Sequence, residues 1–299
     1  MEKIIYVKIV ENYNEIVKYK VPLILKKIIF YFKKLFNIVT KMQLNGNVLW
    51  ILPFKDTIEI KKLEKIIVKD LNKIKENITV VLSSKLKKKE FINIINKYNI
   101  KYVKGNLAKK KLVFKILQYI NTLQNTELNK RDIVVMANKD TNINIKIIER
   151  LAVESKSIKI VSKNNSKFKK LEQKLYNDKG IAIQFSNSYK KSLKNANIII
   201  NLDFNETEIN EYYINSNAII INTENKMKIK SNFFNGIIIN SCKIHISQYN
   251  MSKEFDNLDV YESLLIGSSE YMLNENNIKI EKVIGTNGII LEKEFKNMC

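Results

Sequence analysis

Residues 132–150 read DIVVMANKDTNINIKIIER. The run is a β-branched strand, a short polar turn and a helix, the frame on which a nucleotide-binding sheet carries its glycine-rich phosphate loop. In such a loop glycines allow a tight turn, close approach of backbone N–H groups to a diphosphate, and close helix–strand packing. None is present here. The spaced pattern GxxGxxG places its three slots on Ala137, Asp140 and Ile143. Alanine is a mild change, Asp140 puts a carboxylate where a diphosphate belongs, and Ile143 adds bulk where helix meets strand. Either a nucleotide binds in another way or it does not bind.

Working outward, β-branched runs alternate with helix-like runs, the signature of an α/β sheet with crossover helices. Strands are expected at residues 3–10, 47–52, 78–82 and 101–103, with helices over 21–39, 58–75, 88–97 and 108–123. The second half is more regular. Strands at 133–136, 157–161, 182–185, 197–201, 218–222 and 236–240 alternate with turns and with helices near 145–154, 167–176 and 189–194. A last helix is expected over 258–270, packing back across a cleft. The polar stretch NTLQNTELNK (121–130) marks a boundary. The expected fold is α/β: a Rossmann-type doubly wound sheet with a smaller N-terminal α/β domain. Its parts are residues 1–125, 126–257, and a C-terminal helix and tail at 258–299.

Composition restricts function. The 299-residue chain is 45% hydrophobic, enough for buried cores, and carries a formal net charge of +22. That charge is almost wholly lysine, since Arg131 and Arg150 are the only arginines. Specific readers of bases and phosphates favour the planar guanidinium fork. The lysines therefore read as solvated faces, with only non-specific, salt-sensitive adhesion to nucleic acid. Cys242 and Cys299 give no disulfide framework and, with His245 as the single histidine, no metal site is expected. His245 alternates with Ile244 and Ile246 and reads as an edge or surface position on a strand; Trp50 and the aromatics of KIIFYFKK (Phe30, Tyr31 and Phe32) read as core and not as a base-stacking platform.

The opening MEKIIYVKIVENYNE lacks the apolar core of a signal peptide, and a cytoplasmic location is expected. The stretch Val21–Val39 is greasy but interrupted by Lys26, Lys27, Lys33 and Lys34, so no membrane span is expected. These lysines recur at a spacing of seven and share one side of a helix. Two readings stay open: a helix buried on most of its surface with one lysine stripe in water, or peripheral contact with a membrane.

The order of several segments over residues 45–290 resembles the acyl-(acyl-carrier-protein) reductase and shikimate-dehydrogenase-like NAD(P)-binding family. Val103-Lys104-Gly105-Asn106, leading into KKKLVFKILQYI, is similar to the family's VTTGNxxT segment. IVVMAN (Ile133–Asn138) stands at the nucleotide strand, and SKNNSKFKKLEQKL (Ser162–Leu175) resembles ARNxERLxxLxxEL. NIIINLDF (Asn197–Phe204) resembles the strand that ends beside the nicotinamide, AIIINTENK resembles VLIDGGYPK, and DVYESLL (Asp259–Leu265) resembles CFAEAMLL.

The resemblance implies NADP or NAD as cofactor and a small-molecule or protein-bound substrate. It places Ala137, Asn138, Lys139 and Asp140 at the phosphate turn, Ser162 and Lys163 by the adenosine ribose, and Asn201 by the nicotinamide. It also puts Asp259 where acyl reductases carry their cysteine, and a carboxylate does not attack thioesters as a thiolate does. Acyl reduction is therefore not expected. Asp259 and Glu262, three apart on a helix, share a face and are the catalytic candidates for acid–base work or for holding a cation; the plainer reading is a solvated acidic patch or a charge at the helix N-terminus that complements its dipole. Two functions follow: a divergent NAD(P)-binding oxidoreductase-like protein, or a non-catalytic Rossmann-fold protein that binds a protein, acidic ligand or nucleic acid. Oligomeric state is not read from the sequence.

Overall fold

The structure, a computed structural model, describes residues 3–10, 13–15, 21–44, 47–54, 60–66, 69–70, 77–247, 254–267, 275–296 and 298. The first half contains β1 (Lys3–Ile9), α1 (Leu23–Leu35), β2 (Thr40–Leu44), β3 (Asn47–Leu52), α2 (Ile60–Ile66), β4 (Ile78–Leu82), α3 (Lys89–Lys97), β5 (Lys101–Tyr102), α4 (Asn106–Lys111) and α5 (Val113–Leu123). Next come β6 (Asp132–Met136), α6 (Asn142–Glu154), β7 (Ser157–Val161), α7 (Lys169–Lys179), β8 (Gln184–Ser186), β9 (Ile198–Asn201), α8 (Glu206–Ile209), β10 (Ile219–Asn222) and β11 (Ile237–Ile239). The chain continues through β12 (Ser241–Ile246), α9 (Asn257–Gly267), β13 (Ile278–Ile284) and α10 (Glu292–Lys296).

The elements form two compact units, residues 1–105 with 248–275, and residues 106–247 with 276–299. In the first, five strands run in the order β2-β3-β1-β4-β5. All pairs are parallel except the β2–β3 hairpin, which the sequence pattern did not signal. Strand β1 reads KIIYVKI and is buried on both faces. Its period of two sends Ile5, Val7 and Ile9 into a core with Trp50, Leu52 and Phe91, and Ile4 and Tyr6 into another with Val81, Phe255 and Val260. Trp50 is core, as expected, with the Lys41 ammonium 4.7 Å over its ring.

Helix α1 corrects one expectation. Instead of being mostly buried, it buries only Phe30 among its residues; Tyr31 and Phe32, expected in the core, lie in solvent with most of its other large apolar side chains. No described helix is long and apolar enough to cross a membrane.

In the second unit six parallel strands run β8-β7-β6-β9-β10-β11. Counted within the unit from β6, that order is 3-2-1-4-5-6, the doubly wound Rossmann arrangement. The chain is thus α/β, with a Rossmann-type sheet and a smaller N-terminal α/β unit. Strands β9, β10 and β11 are isoleucine triplets buried on both faces, which suits a parallel sheet covered by helices. β12 and β13 form a separate antiparallel pair on which His245 is exposed between buried Ile244 and Ile246.

Differences from the sequence reading are local. Residues 106–125 pack with the second unit, because α5 turns Val113, Ile116, Leu117 and Ile120 inward and lies against β13 and α10. Helix α9 packs on β1 and β4 in the first unit, while β13 and α10 belong to the second. The helix expected over 108–123 breaks at Leu112, and residues 189–194 form turns instead of a helix. The 58–75 helix is described over Ile60–Ile66 and the final helix over Asn257–Gly267; Cys299 lies outside the described residues.

Candidate functional site

In a doubly wound sheet the switch point falls between the first and fourth strands, here β6 and β9, and ligands bind beyond their carboxyl ends. The β6–α6 turn lies at that place. Ala137 is buried and continues the sheet, its N–H donating to Val161 O at 3.0 Å. The next two backbone N–H groups, of Asn138 and Lys139, both donate to one carboxylate, that of Asp203, at 2.6 and 2.9 Å. Asn144 Nδ2 makes a third bond to it at 3.0 Å and also reaches Lys139 O at 2.9 Å. Thr141 caps α6 by accepting from Asn144 N. Paired backbone donors of this kind form an anion nest, and the anion in it is a side chain of the same protein.

This changes the picture of the turn drawn from its sequence. Asp140 is exposed and Ile143 only half-buried. The carboxylate that meets the turn comes from Asp203, beyond the end of β9. Around it, Asn138 Oδ1 accepts from Lys163 N at 2.9 Å, and Lys167 Nζ donates to Asn138 O at 3.1 Å. Lys163 Nζ pairs with Glu208 at 3.0 Å, a contact that raises the lysine pKa. Burial pushes Glu208 upward, but the Asn205 N–H and Lys163 outweigh it and hold the carboxyl below its ordinary value. Ser162 is fully buried and accepts from Asn164 N at 3.1 Å.

Behind the nest, Lys110 Nζ donates to Asn144 Oδ1 at 3.1 Å and stands 3.7 Å from Glu224. Burial lowers its pKa against the opposing pull of Glu224 and Asp203. The constellation Asp203–Asn144–Lys110–Glu224 is the polar centre of this end of the sheet, and none of its members was singled out from sequence. Lys110 is hidden in a lysine triplet, and Asp203 is visible only once β6 and β9 are known to be neighbours.

Asn201 is buried and fully engaged internally. Its Oδ1 accepts from Phe204 N at 2.9 Å, and its Nδ2 donates to Phe204 O at 2.8 Å and Asn222 Oδ1 at 3.0 Å. Asn222 Nδ2 in turn donates to Asn240 Oδ1 at 2.8 Å, and Asn240 Nδ2 to Met227 O at 2.9 Å. A row of three carboxamides thus ties together the ends of β9, β10 and β11. The sequence signal is the triple recurrence of IIIN at 198–201, 219–222 and 237–240.

The catalytic candidates lie in the first unit. Asp259 and Glu262 do share a face of α9, but both are buried, which corrects the solvated-patch reading. Lys87 Nζ sits 2.5 Å from Asp259 Oδ2, and Glu262 Oε1 accepts from Lys104 N at 3.2 Å. Burial pushes the Asp259 carboxyl up to about 7, with Lys87 pulling the other way. Gly105 lies against Asp259 with φ +76°, a left-handed conformation that glycine tolerates. Gly105→Ala is expected to cost about 1–2 kcal/mol from that conformation alone, read by urea unfolding.

No protein family and no curated protein matches this sequence. Among solved structures, L-tryptophan dehydrogenase from Nostoc punctiforme is 13% identical with a TM-score of 0.32. The overlap covers 77% of this chain and 65% of that one, just under two thirds. The A chain of dipicolinate synthase from Bacillus subtilis gives 11% and 0.34 over 74% and 80% of the two chains. Shikimate 5-dehydrogenase from Listeria monocytogenes, solved with shikimate and NAD, gives 10% and 0.24 over 68% of each. Likenesses of this strength carry no argument about chemistry, and it is the strand order of the second unit that makes it Rossmann-type.

Proposed function

We propose that this chain is an oxidoreductase-like Rossmann-fold protein without acyl-reductase chemistry. Its nucleotide turn is held by its own carboxylate, and it acts as a binding protein, not a dehydrogenase. One observation carries the reading: Asp203 takes the N–H groups of both Asn138 and Lys139. A dinucleotide diphosphate seeking the same donors would have to displace a charge-assisted pair of hydrogen bonds and face the displaced carboxylate. Asp259, at the position the resemblance gives to a cysteine, is buried against Lys87, which supports the absence of thioester attack.

A second reading has its own support. Lys163 and Lys167 beside Asn138 form a cationic edge at the turn, suited to the 2′-phosphate of NADP if Asp203 swings aside. Thermal-shift titration with NADPH, NADH and ATP at about 150 mM salt separates the two, since that ionic strength screens lysine adhesion. The expected result is no saturable shift for the wild type. Asp203→Ala is expected to lose about 1–3 kcal/mol, because two N–H groups lose a charged acceptor, and to be the variant in which NADPH affinity emerges. A saturable NADPH response in the wild type, weakened by Lys163→Ala, would overturn the proposal in favour of the second reading.

A further inference from the structure

Helix α1 reads LILKKIIFYFKKL and contains no acidic residue. Ile24, Ile28, Tyr31, Phe32 and Leu35 fall at i, i+4, i+7, i+8 and i+11, the spacing of a single helical face. Such a face ordinarily turns to a core. Here it turns to water: Ile24 is 72% exposed, Leu35 67% and Tyr31 66%, with Phe36 and Ile38 exposed just beyond the helix. The opposite side holds the helix to its unit through Phe30, which packs with Val10 and Ile51 and meets the Tyr13 ring edge-on at 5.3 Å. Lys33 is drawn toward that side too, donating to Thr40 Oγ1 at 2.7 Å. At 100° per residue, Lys27 and Lys34 lie along one edge of the apolar face, with Lys26 and Lys33 farther round.

A long apolar stripe edged along one side by lysines, on a helix anchored from behind, has the form of an in-plane interfacial helix. We infer that α1 is a docking surface for an anionic lipid membrane, its apolar face entering the acyl boundary and Lys27 and Lys34 along its edge meeting the headgroups. Charge selects this occupant. A second copy of the chain would bring two lysine-edged helices together, each on a protein of net charge +22, and that repulsion opposes self-association. An anionic leaflet is complementary to these lysines, while the aliphatic and aromatic side chains beside them match its apolar layer.

The test must separate insertion from the adhesion that any chain of this charge shows. Full-length protein is floated with vesicles of about 30% phosphatidylglycerol in phosphatidylcholine, and with pure phosphatidylcholine, at about 0.15 and 0.5 M salt. The paired variant Ile28→Gln/Phe32→Gln alters only exposed side chains, so the fold should persist. Phe32→Trp reports insertion, because Trp50, the one native tryptophan, is buried and contributes a constant background. Expected results are flotation with anionic vesicles that partly survives high salt, at least a tenfold loss in the Gln pair, and a blue shift of the Phe32→Trp emission. Flotation that the Gln pair leaves unchanged and salt abolishes would show lysine adhesion alone and overturn the proposal. So would a dimer that the Gln pair dissolves in a wild type that does not float.

Discussion

Asp259→Asn is expected to be more stable than the wild type at neutral pH by up to about 4 kcal/mol, with the difference vanishing near pH 4. In the unfolded chain an aspartate ionises near 4, whereas burial raises Asp259 to about 7 in the native state. Between these values the native protein holds a proton that the unfolded chain has released. Wild-type stability therefore falls as pH rises through that window, at ~1.4 kcal/mol per pH unit for a group fully divided between the two states. Asparagine keeps the shape and cannot ionise. Lys87 loses its 2.5 Å contact, but it is one-third exposed and keeps Asp256 at 3.9 Å, so little is left stranded. Urea unfolding of both proteins at several pH values between 4 and 7.5 measures the difference directly, and other titrating groups cancel. Parallel curves would show that Asp259 is ionised throughout, with Lys87 compensating its burial.

The second large effect is expected at Asn222, the middle member of the carboxamide row. Its Oδ1 accepts from Asn201 Nδ2 at 3.0 Å and Glu224 N at 3.2 Å. Its Nδ2 donates to Asn240 Oδ1 at 2.8 Å and Asn225 O at 2.9 Å. Asn222→Ala removes all four bonds at a residue that is 2% exposed, where water cannot replace them. Asn201 and Asn240 keep other partners, which limits the expected loss to about 2–4 kcal/mol. Asn222→Asp separates hydrogen bonding from volume. It is isosteric, yet at neutral pH it sets a carboxylate against Asn240 Oδ1 and Asn225 O, so it should also destabilise and should recover on acidification. An aspartate variant within about 0.5 kcal/mol of wild type would mean the row contributes shape only.

The lysine–carboxylate ion pairs on the surface, such as Lys174–Glu149 at 2.6 Å, contribute less than either of these sites. Exposed pairs are typically worth about 0–1 kcal/mol, because water screens them and ordering the side chains costs entropy. The energetics that distinguish this protein therefore lie in buried polar groups, and most of those were not visible as a pattern. A lysine is common everywhere in this chain, so Lys110 gives no signal until burial and its neighbours Asn144 and Glu224 single it out.

The amino-acid pattern is sufficient for the ladder of strands and crossovers. Strands rich in isoleucine and valine such as β4, β6, β7, β9 and β10 announce themselves because a parallel strand covered on both faces is largely apolar. The missing phosphate glycines are legible for the same local reason: backbone freedom is a property of the residue itself. Pairing and direction are not local. That β6 and β9 lie side by side, bringing Asp203 onto the N–H groups of Asn138 and Lys139, depends on strands more than sixty residues apart. The burial of Asp259 and Glu262 likewise follows from where α9 packs on β1 and β4, not from their spacing. In α1 the apolar period predicts a helix and a face but not its outward turn, because a hydrophobic stripe records that a surface is to be covered and leaves open by what.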